Sequence, residues 1–195
     1  GPLPSLVAAA GENAQSRFIS QKILELREEG VPLSEVAVLF RSSFHSFDLE
    51  IELSRKELPF IKRGGMKFIE TAHVKDLLAH VRVVANPLDT VSWHRVLMLV
   101  EGVGPKKAQD VLAAIVKAER PFEVLRGVNG RSGQGLKALA NALESLAGSE
   151  DSKPEHHVSQ IYEYYLPILK DQYDDYPKRT RDLDHLHTIA EGYQG

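Results

Sequence analysis

The sequence predicts two unlike halves, an α/β half with part of a parallel sheet followed by an all-α half. Over residues 1–90, apolar runs typical of strands alternate with apolar residues at helical spacing. Residues 91–195 contain helical patterns but no convincing strand, and a glycine-rich stretch at 127–135 and a polar stretch at 148–154 separate them. We therefore expect two domains, 1–90 and 91–195. No internal repeat is evident.

The elements of the first half follow in order. Residues 5–10 form a short apolar run typical of a strand, and a helical pattern over 14–28 ends before Gly30. Residues 36–40 are uninterruptedly apolar, as in a strand buried on both faces. The later elements are a helix at 48–53, a strand at 59–61, a glycine turn at Gly64-Gly65, and a helix over 74–84 that ends at Asn86-Pro87. Alternating strands and helices favour a parallel sheet.

Composition limits the possible functions. The 195 residues are 43% hydrophobic and 26% charged, which is typical of a soluble globular protein. There is no cysteine, so disulfides and thiolate metal sites are excluded, and a cytoplasmic location is expected. No apolar run approaches a membrane span, so we expect no membrane partner. The net charge of -3 gives no global attraction to nucleic acid, so DNA binding would depend on local basic clusters.

The sharpest local signal is the stretch 100–108, which lies between two helical patterns. Pro105 suits the first position of a helix, and the free N–H groups at that helix start favour an anion. The pattern resembles a helix-hairpin-helix element, which binds the DNA backbone without reading sequence. A tight glycine turn between two packed helices is the alternative. The candidate DNA-binding residues are Gly102, Val103, Gly104, Lys106 and Lys107.

A phosphate-binding loop is absent from the sequence. The pattern G-x-x-x-x-G-K-[ST] occurs nowhere, and residues 133–137 fail because no buried strand precedes them. The chain therefore lacks a complete triphosphate cradle and is expected to be inactive by itself as an NTPase. Histidines at 156–157 and at 185 and 187 are interpreted as solvated, since no carboxylate or cysteine set has metal-ligand spacing. No metal is expected.

Arg41 follows the apolar run 36–40 directly. The carboxyl end of a buried parallel strand is where α/β folds place ligands, and a guanidinium there can contact a phosphate. The other interpretation is an arginine that pairs with a surface carboxylate. Residue reasoning alone favours the second interpretation.

Five sequence blocks, considered together with their order along the chain, resemble those of a known protein family. They are GENAQSRFISQKILELREEG (11–30), VAVLFRSSFHSFDLE (36–50), residues 59–89 with their paired glycines and Asn-Pro ending, HRVLMLVEGVG (94–104) and YPKRTRDLDHLHTIAEGY (176–193). In this order and spacing they resemble the UvrD/Rep/PcrA family of superfamily 1A DNA helicases. The second block resembles helicase motif IV, and the fourth resembles the beginning of subdomain 2B.

The resemblance implies an internal fragment of an ATP-dependent 3′–5′ DNA helicase. Residues 1–90 would be part of the RecA-like motor subdomain 2A, with a partial parallel sheet. Residues 91–195 would be the helical subdomain 2B, with a helix-hairpin-helix-like element. The intact protein would use ATP and Mg²⁺ and carry its Walker A and B motifs outside this sequence. The fragment alone would be inactive, bind no cofactor and have as partners duplex or forked DNA and the rest of the helicase chain.

The resemblance also implies roles for single residues. Arg41 matches the motif IV arginine, which reaches the γ-phosphate of ATP between the two motor domains, and would act as a catalytic residue. Gly102, Val103 and Gly104 would hold the duplex. Family members often have a glutamine and a second arginine shortly after the motif IV arginine, and here His45 and Phe47 occupy those places.

Two other functions stay open from the sequence. The chain could be a stand-alone helix-hairpin-helix DNA-binding module, or its helical half could be a protein-docking regulatory surface. A simple hairpin module has no use for a motif IV strand that ends in Arg41, which favours the helicase.

Overall fold

The computed structural model describes residues 3–63, 68–149 and 153–191. The turn expected at Gly64-Gly65 and the middle of the polar stretch 148–154 lie outside these ranges. Within them the chain forms α-helices that are joined by loops and short 3-10 helices.

The chain divides into two compact units, Gly1–Glu70 and Thr71–Gly195. This division reflects internal contacts, whereas the expected domains 1–90 and 91–195 reflect sequence patterns. The assignment of those domains to subdomains 2A and 2B stays a prediction.

The first unit is built on two helices, α1 (Glu12–Glu28) and α2 (Phe47–Arg55). Gly30 follows α1 with φ 91°, the left-handed conformation that ends many helices. In the part of this unit that the structure describes, three short 3-10 helices lie between or after them, at Leu33–Glu35, Ser43–Ser46 and Phe68–Glu70. The small core consists of Ile23, Leu49, Leu53 and Leu58.

The expected partial parallel sheet is wrong for the described residues. Residues 5–10, 36–40 and 59–61 are not in strands, and the described part of the chain contains none. A strand needs a neighbour to accept and donate its ladder hydrogen bonds. No described backbone group bonds to the backbone of residues 37–40. The described residues of the first unit are therefore helical with irregular segments and contain no RecA-like sheet.

The apolar run 36–40 explains the error. Its pattern predicts burial on both faces, but Val36, Val38 and Phe40 pack on the α1–α2 core while Leu39 is 91% exposed. Among the described residues, only one face of this segment has a packing partner. Residues 36–40 and 59–61 instead line an open groove of about 940 Å³.

A buried carboxylate also lines this groove and connects α2 to the segment that follows it. Glu50, on α2, is 4% exposed and accepts hydrogen bonds from the Ser46 hydroxyl and from Lys62 Nζ, both at 2.6 Å. The backbone N–H of Phe68 donates to its other oxygen at 2.9 Å. Because Lys62 is itself only 10% exposed in its side chain, this is a buried ion pair that ties the segment after α2 to the helix.

The second unit contains seven α-helices in the described residues. They are α3 (Ala72–Ala85), α4 (Thr90–Met98), α5 (Pro105–Ile115), α6 (Pro121–Arg126), α7 (Gly133–Ala147), α8 (Pro154–Gln172) and α9 (Tyr176–Glu191). The expectation of helices without strands beyond residue 91 agrees with this unit. Fully buried side chains from all seven of these helices form its core, among them Leu77, Trp93, Ile115, Leu125, Leu139, Tyr165 and Leu183.

A polar cluster crosses this core. Asp76 on α3 is 3% exposed and accepts from Arg95 on α4 at 2.6 Å and from the Tyr165 hydroxyl on α8 at 2.8 Å. Both carboxylate oxygens thereby have partners, which a buried charge requires. The cluster fixes α4 and α8 to α3.

His80 makes the stability of this unit dependent on pH. Its ring is fully buried, its Nδ1–H donates to the Asp76 carbonyl at 2.7 Å, and Nε2 has no partner among the described residues. Burial lowers the pKa of His80 to about 4. The unfolded chain therefore binds more protons than the folded chain between pH 6.5 and about 4, so stability is full above pH 6.5 and is lost as the pH falls.

We expect His80→Leu to remove this acid dependence. The loss of stability from His80 amounts to about 3 kcal/mol at its limit, from the size of the pKa shift. Urea unfolding followed by Trp93 fluorescence, at intervals from pH 7.5 to 4.5, measures it. A variant whose stability falls with acid as steeply as that of the natural chain would contradict the assignment.

Candidate nucleic-acid interface

The hairpin between α4 and α5 is held firmly at its base. Ser92 donates to Asp89 through its N–H at 3.0 Å and through its hydroxyl at 2.7 Å, which caps α4 and holds the pKa of Asp89 below its usual value. Trp93 is fully buried, and its ring N–H donates to the Pro87 carbonyl at 2.9 Å. The helix that leads into the hairpin is thus fixed at its beginning and in its core.

The hairpin turn itself needs its first glycine. Gly102 has φ 76°, and a Cβ there would lie 3.3 Å from Arg131 Cγ and 3.5 Å from the Ser132 backbone nitrogen. Val103 is 6% exposed and donates from its N–H to the Val100 carbonyl at 3.1 Å. The buried side chain of Val103 therefore fixes the turn to the protein interior, while Gly102 and Gly104 on either side of it are exposed.

The second glycine, Gly104, immediately precedes the first residue of α5. Gly104 is extended, with φ -93° and ψ 175°, and a Cβ on it would meet nothing within 4 Å. Pro105 is the first residue of the helix, as the sequence predicts. No side chain caps this helix start, so the N–H groups of its first turn have no acceptor within the helix.

The charge at this helix start is positive and unpaired. Lys106 is exposed and Lys107 is half-buried, and neither makes an ion pair with a described residue. The first turn of α5 contains no acidic residue. Free N–H groups and two ammonium groups together form a place where a phosphate group would be stabilised.

Residues beyond the sequence-predicted set belong to this surface. Arg131 donates to Glu101 at 2.9 Å, and both side chains are more than 80% exposed. Sequence analysis interpreted the glycine-rich stretch 127–135 only as a separator between helices. The structure places its Arg131 and Ser132 against Gly102. A positive-φ glycine in the stretch, Gly130 at 89°, marks it as a defined turn.

Arg41 belongs to the other compact unit. It is exposed at the edge of the groove lined by residues 36–40, and it makes no hydrogen bond or ion pair with a described residue. The surface-carboxylate pairing considered above is therefore not found among those residues. The guanidinium is free to contact an anionic ligand.

The two positions that depart from the helicase pattern have different environments. His45 is exposed, with its Nδ1 4.0 Å from a Glu12 oxygen. Phe47 is 7% exposed and stacks on Phe68 with ring centroids 4.4 Å apart. Phe47 is a core residue, so its position does not present a side chain to the groove.

Metal and membrane sites are not found in the described ranges. No group of three or more histidine, aspartate or glutamate side chains there has the arrangement of a metal site. No helix there is both long and apolar enough to cross a membrane.

The second unit thus presents a glycine hairpin and, directly after it, an uncapped helix start with two lysines. Residues 3–123 match the UvrD-like helicase C-terminal domain, and the chain belongs to this family. The matched range includes Arg41 and the whole of the α4–α5 hairpin.

Individual helicases are similar over most of the chain. ATP-dependent DNA helicase PcrA of Staphylococcus epidermidis is 30% identical over 95% of this chain and 27% of its own length. PcrA of Bacillus subtilis is 28% identical over 94% of this chain and 26% of its own length. DNA helicase II of Escherichia coli is 28% identical over 78% of this chain and 22% of its own length. The chain thus spans about a quarter of the length of these relatives.

Proposed function

We propose that this chain is part of an ATP-dependent 3′–5′ DNA helicase, in which it holds duplex DNA and supplies one arginine to the ATP site. Membership of the UvrD-like family supports a helicase function. The dependence on ATP and the DNA substrate are proposed because the relatives are named as DNA helicases, PcrA among them as ATP-dependent. The missing triphosphate cradle supports a division of labour, in which other parts of the protein bind most of the nucleotide.

The α4–α5 hairpin is the proposed duplex contact. The observation that supports it most is the uncapped start of α5 beside two unpaired lysines, Lys106 and Lys107. The exposed Gly102 and Gly104 let a sugar-phosphate backbone approach closely, because they have no side chains in the way. Such contacts go to phosphates and carry no sequence information, so binding is sequence-independent.

Arg41 is the proposed contact to the γ-phosphate of ATP. Its support is its free, exposed guanidinium at the edge of the groove, together with its match to motif IV. Bound ATP and Mg²⁺ would supply the reacting phosphate and neutralise its oxygens. The role of Arg41 is to donate hydrogen bonds to that phosphate and stabilise its negative charge.

A free-standing DNA-binding module is the second candidate. The hairpin alone would serve it equally well, but the family match begins at residue 3 and extends through the whole first unit. A docking surface for a regulatory protein is a third candidate, which no particular feature of the second unit favours.

We expect Lys106→Glu with Lys107→Glu to weaken duplex binding by about tenfold or more near 0.1 M salt. Each lost phosphate contact also makes the dependence of binding on salt less steep, by about 0.9 in the log–log slope. Fluorescence anisotropy with a labelled duplex and the 195-residue chain, over a range of salt concentrations, measures both effects.

The control makes the same change of charge elsewhere in the second unit. Lys117→Glu with Lys178→Glu alters two exposed lysines outside the hairpin, one of them past the far end of α5. Equal weakening in both double variants would mean that only net charge matters. No weakening in the hairpin variant would remove the hairpin from the interface.

A further inference from the structure

Arg41 has no contact among the described residues that sets its position. Its side chain is exposed, and it directly precedes a turn at residues 42–46, which contains the short 3-10 helix Ser43–Ser46 and leads into α2. Within this 42–46 turn, the His45 N–H donates to the Ser42 carbonyl at 3.2 Å. The position of the guanidinium therefore depends on what holds the turn.

The last residue of the turn, Ser46, uses its hydroxyl in an unusual way. A serine immediately before a helix ordinarily accepts a hydrogen bond from a backbone N–H of the first helical turn. Ser46 makes no such capping bond with a described residue. Its hydroxyl instead donates to Glu50 Oε1 at 2.6 Å, one turn into α2, and Ser46 is only 7% exposed. The bond thus connects the end of the turn to a buried carboxylate.

Glu50 is itself held by two other segments of the first unit. Lys62 Nζ donates to the same oxygen as Ser46, and the Phe68 N–H donates to the other oxygen. The carboxylate therefore connects the 42–46 turn to the segment after α2 and to the 3-10 helix that begins at Phe68. Since hydrogen bonds are directional, three donors around one carboxylate fix its orientation as well as its place.

The side chain next to Ser46 has the same partners. Phe47, the first residue of α2, stacks on Phe68, and Lys62 Nζ lies 5.0 Å from the centre of its ring. The residues that bond to Glu50 thus also contact the residue that follows Ser46. The start of α2 is held by hydrogen bonds and by ring contacts together, so the turn before it is fixed at its end nearest the helix.

Stability alone does not require a charged group at Glu50. A buried ion pair is costly to desolvate, and apolar side chains of similar volume often stabilise a core equally well. A carboxylate differs from them because it defines where the Ser46 hydroxyl must lie. Such precision would serve Arg41, since a group that stabilises charge during a reaction needs a closely defined position and a supporting shell around it.

We infer that Ser46 and Glu50 are positioning residues for Arg41, which hold the 42–46 turn so that the guanidinium meets the phosphate in a productive geometry. The inference rests on the proposed contact of Arg41 with ATP. Both side chains are buried, so they act through the turn and not on the nucleotide. A misplacement of about 1 Å can cost up to about a hundredfold in rate, so the loss of one bond here has a measurable effect on turnover.

Ser46→Ala in the full-length protein is the sharpest test. It removes the hydroxyl and leaves the Glu50–Lys62 pair and the Phe68 bond in place. In ATP hydrolysis with saturating single-stranded DNA, kcat should fall about tenfold and the KM for ATP should change less than about threefold, because the arginine acts on charge that develops during the reaction. Ser46→Thr keeps a hydroxyl and should recover most of the turnover.

A double variant separates positioning from a general structural role. If Ser46 acts through Arg41, Ser46→Ala should have almost no further effect when Arg41 is already alanine, because residues that act as a unit are not additive. A structural role independent of Arg41 would lower kcat by the same factor in both backgrounds. That result would overturn the inference.

Ser54→Ala is the matched control. The Ser54 hydroxyl also lies on α2 and donates at 2.8 Å, but its acceptor is the backbone carbonyl of Glu50. The change removes one hydroxyl hydrogen bond from the same helix and leaves the carboxylate untouched, so unchanged turnover is expected. Hydrogen–deuterium exchange of α1 and α2 should stay the same in both single variants. Much faster exchange in Ser46→Ala would assign its loss of turnover to unfolding and overturn the inference.

The outcomes distinguish the inference from the proposed function. Unchanged turnover in Ser46→Ala, with turnover lost in Arg41→Ala, overturns the positioning role and leaves Arg41 at the ATP site. Unchanged turnover in Arg41→Ala removes Arg41 from that site, and the inference fails with it. A lower kcat in Ser46→Ala that threonine restores, and that disappears in the Arg41→Ala background, supports positioning.

Discussion

Replacing Arg41 by alanine in the full-length protein is expected to lower the rate of ATP hydrolysis by about a hundredfold or more. A donor aimed at charge that develops in the transition state is typically worth about that much. Arg41 is exposed and makes no contact with a described partner, so its removal leaves no buried group unsatisfied. The loss should therefore appear in kcat while the melting temperature stays the same. Phosphate release with saturating single-stranded DNA measures it.

Two further variants make the result specific. Arg41→Lys retains the charge but loses the planar fork of donors, so it should recover only part of the activity. Arg27→Ala removes an exposed arginine from the last turn of α1 in the same unit and should have no effect. Full turnover in Arg41→Ala would exclude Arg41 from the ATP site, and an equal loss in Arg27→Ala would point to a general effect of charge.

The helices of the second unit and the position of the hairpin could be predicted from the sequence because their signals are local. Pro105 begins α5 as expected, and Gly102 adopts the left-handed conformation that the glycine pattern allows. A helix satisfies its backbone hydrogen bonds within itself, so its apolar spacing and its end signals suffice to identify it.

Strand formation could not be predicted because it depends on a partner elsewhere in the chain. The run 36–40 has the composition of a strand buried on both faces, yet Leu39 is exposed and its backbone has no partner among the described residues. Composition reports what a segment can bury, and it does not report whether a neighbouring strand is there to receive it.

The burial of the two carboxylates Glu50 and Asp76 also could not be predicted from the sequence. Glu50 and Asp76 both lie within stretches that the sequence predicts only as helices, at 48–53 and 74–84. In the structure both are nearly fully buried and bonded across elements, Glu50 to Lys62 and Asp76 to Tyr165. Carboxylates are usually exposed, so only long-range contacts reveal such exceptions.

A second turn with the backbone of the α4–α5 hairpin shows a third kind of limit: Gly130, 28 residues after Gly102, has φ 89° against 76°. Sequence analysis found the first hairpin because Gly102-Val103-Gly104 and the two lysines match a known pattern. The second turn has Gly130-Arg131-Ser132 in the same places and no lysine pair, so the pattern fails although the backbone is the same. Conformation is retained through one glycine and a few buried apolar positions, which is too little for recognition by motif.

Replacing Glu50 by alanine is expected to destabilise the first unit by about 3–5 kcal/mol, the largest stability effect we expect of any single change. The substitution leaves the nearly buried Lys62 ammonium without its counter-charge and the Phe68 N–H without its acceptor. Breaking a buried ion pair from one side typically costs that much, because an uncompensated charge stays in a poorly solvated place. The groove that presents Arg41 should open more often as a result.

Hydrogen–deuterium exchange of peptides from α1 and α2 is the appropriate measurement. The only tryptophan and all the tyrosines lie beyond residue 70, so fluorescence reports the second unit and serves as an internal control. A loss of 3 kcal/mol corresponds to exchange more than about a hundredfold faster. Glu25→Ala, which removes one partner of the exposed Lys22–Glu25 pair on α1, should leave exchange unchanged.

A rescue variant tests the cause. Glu50→Leu combined with Lys62→Met removes both charges and should recover part of the lost protection, since apolar replacement of a buried ion pair is often tolerated. The Ser46 hydroxyl and the Phe68 N–H then both lose the acceptor that Glu50 provides. Equal exchange rates in Glu50→Ala and Glu25→Ala would mean that the Glu50–Lys62 pair does not hold the unit together. Full loss in the double variant would assign the effect to the hydrogen bonds of Ser46 and Phe68 with Glu50 and to packing, instead of charge.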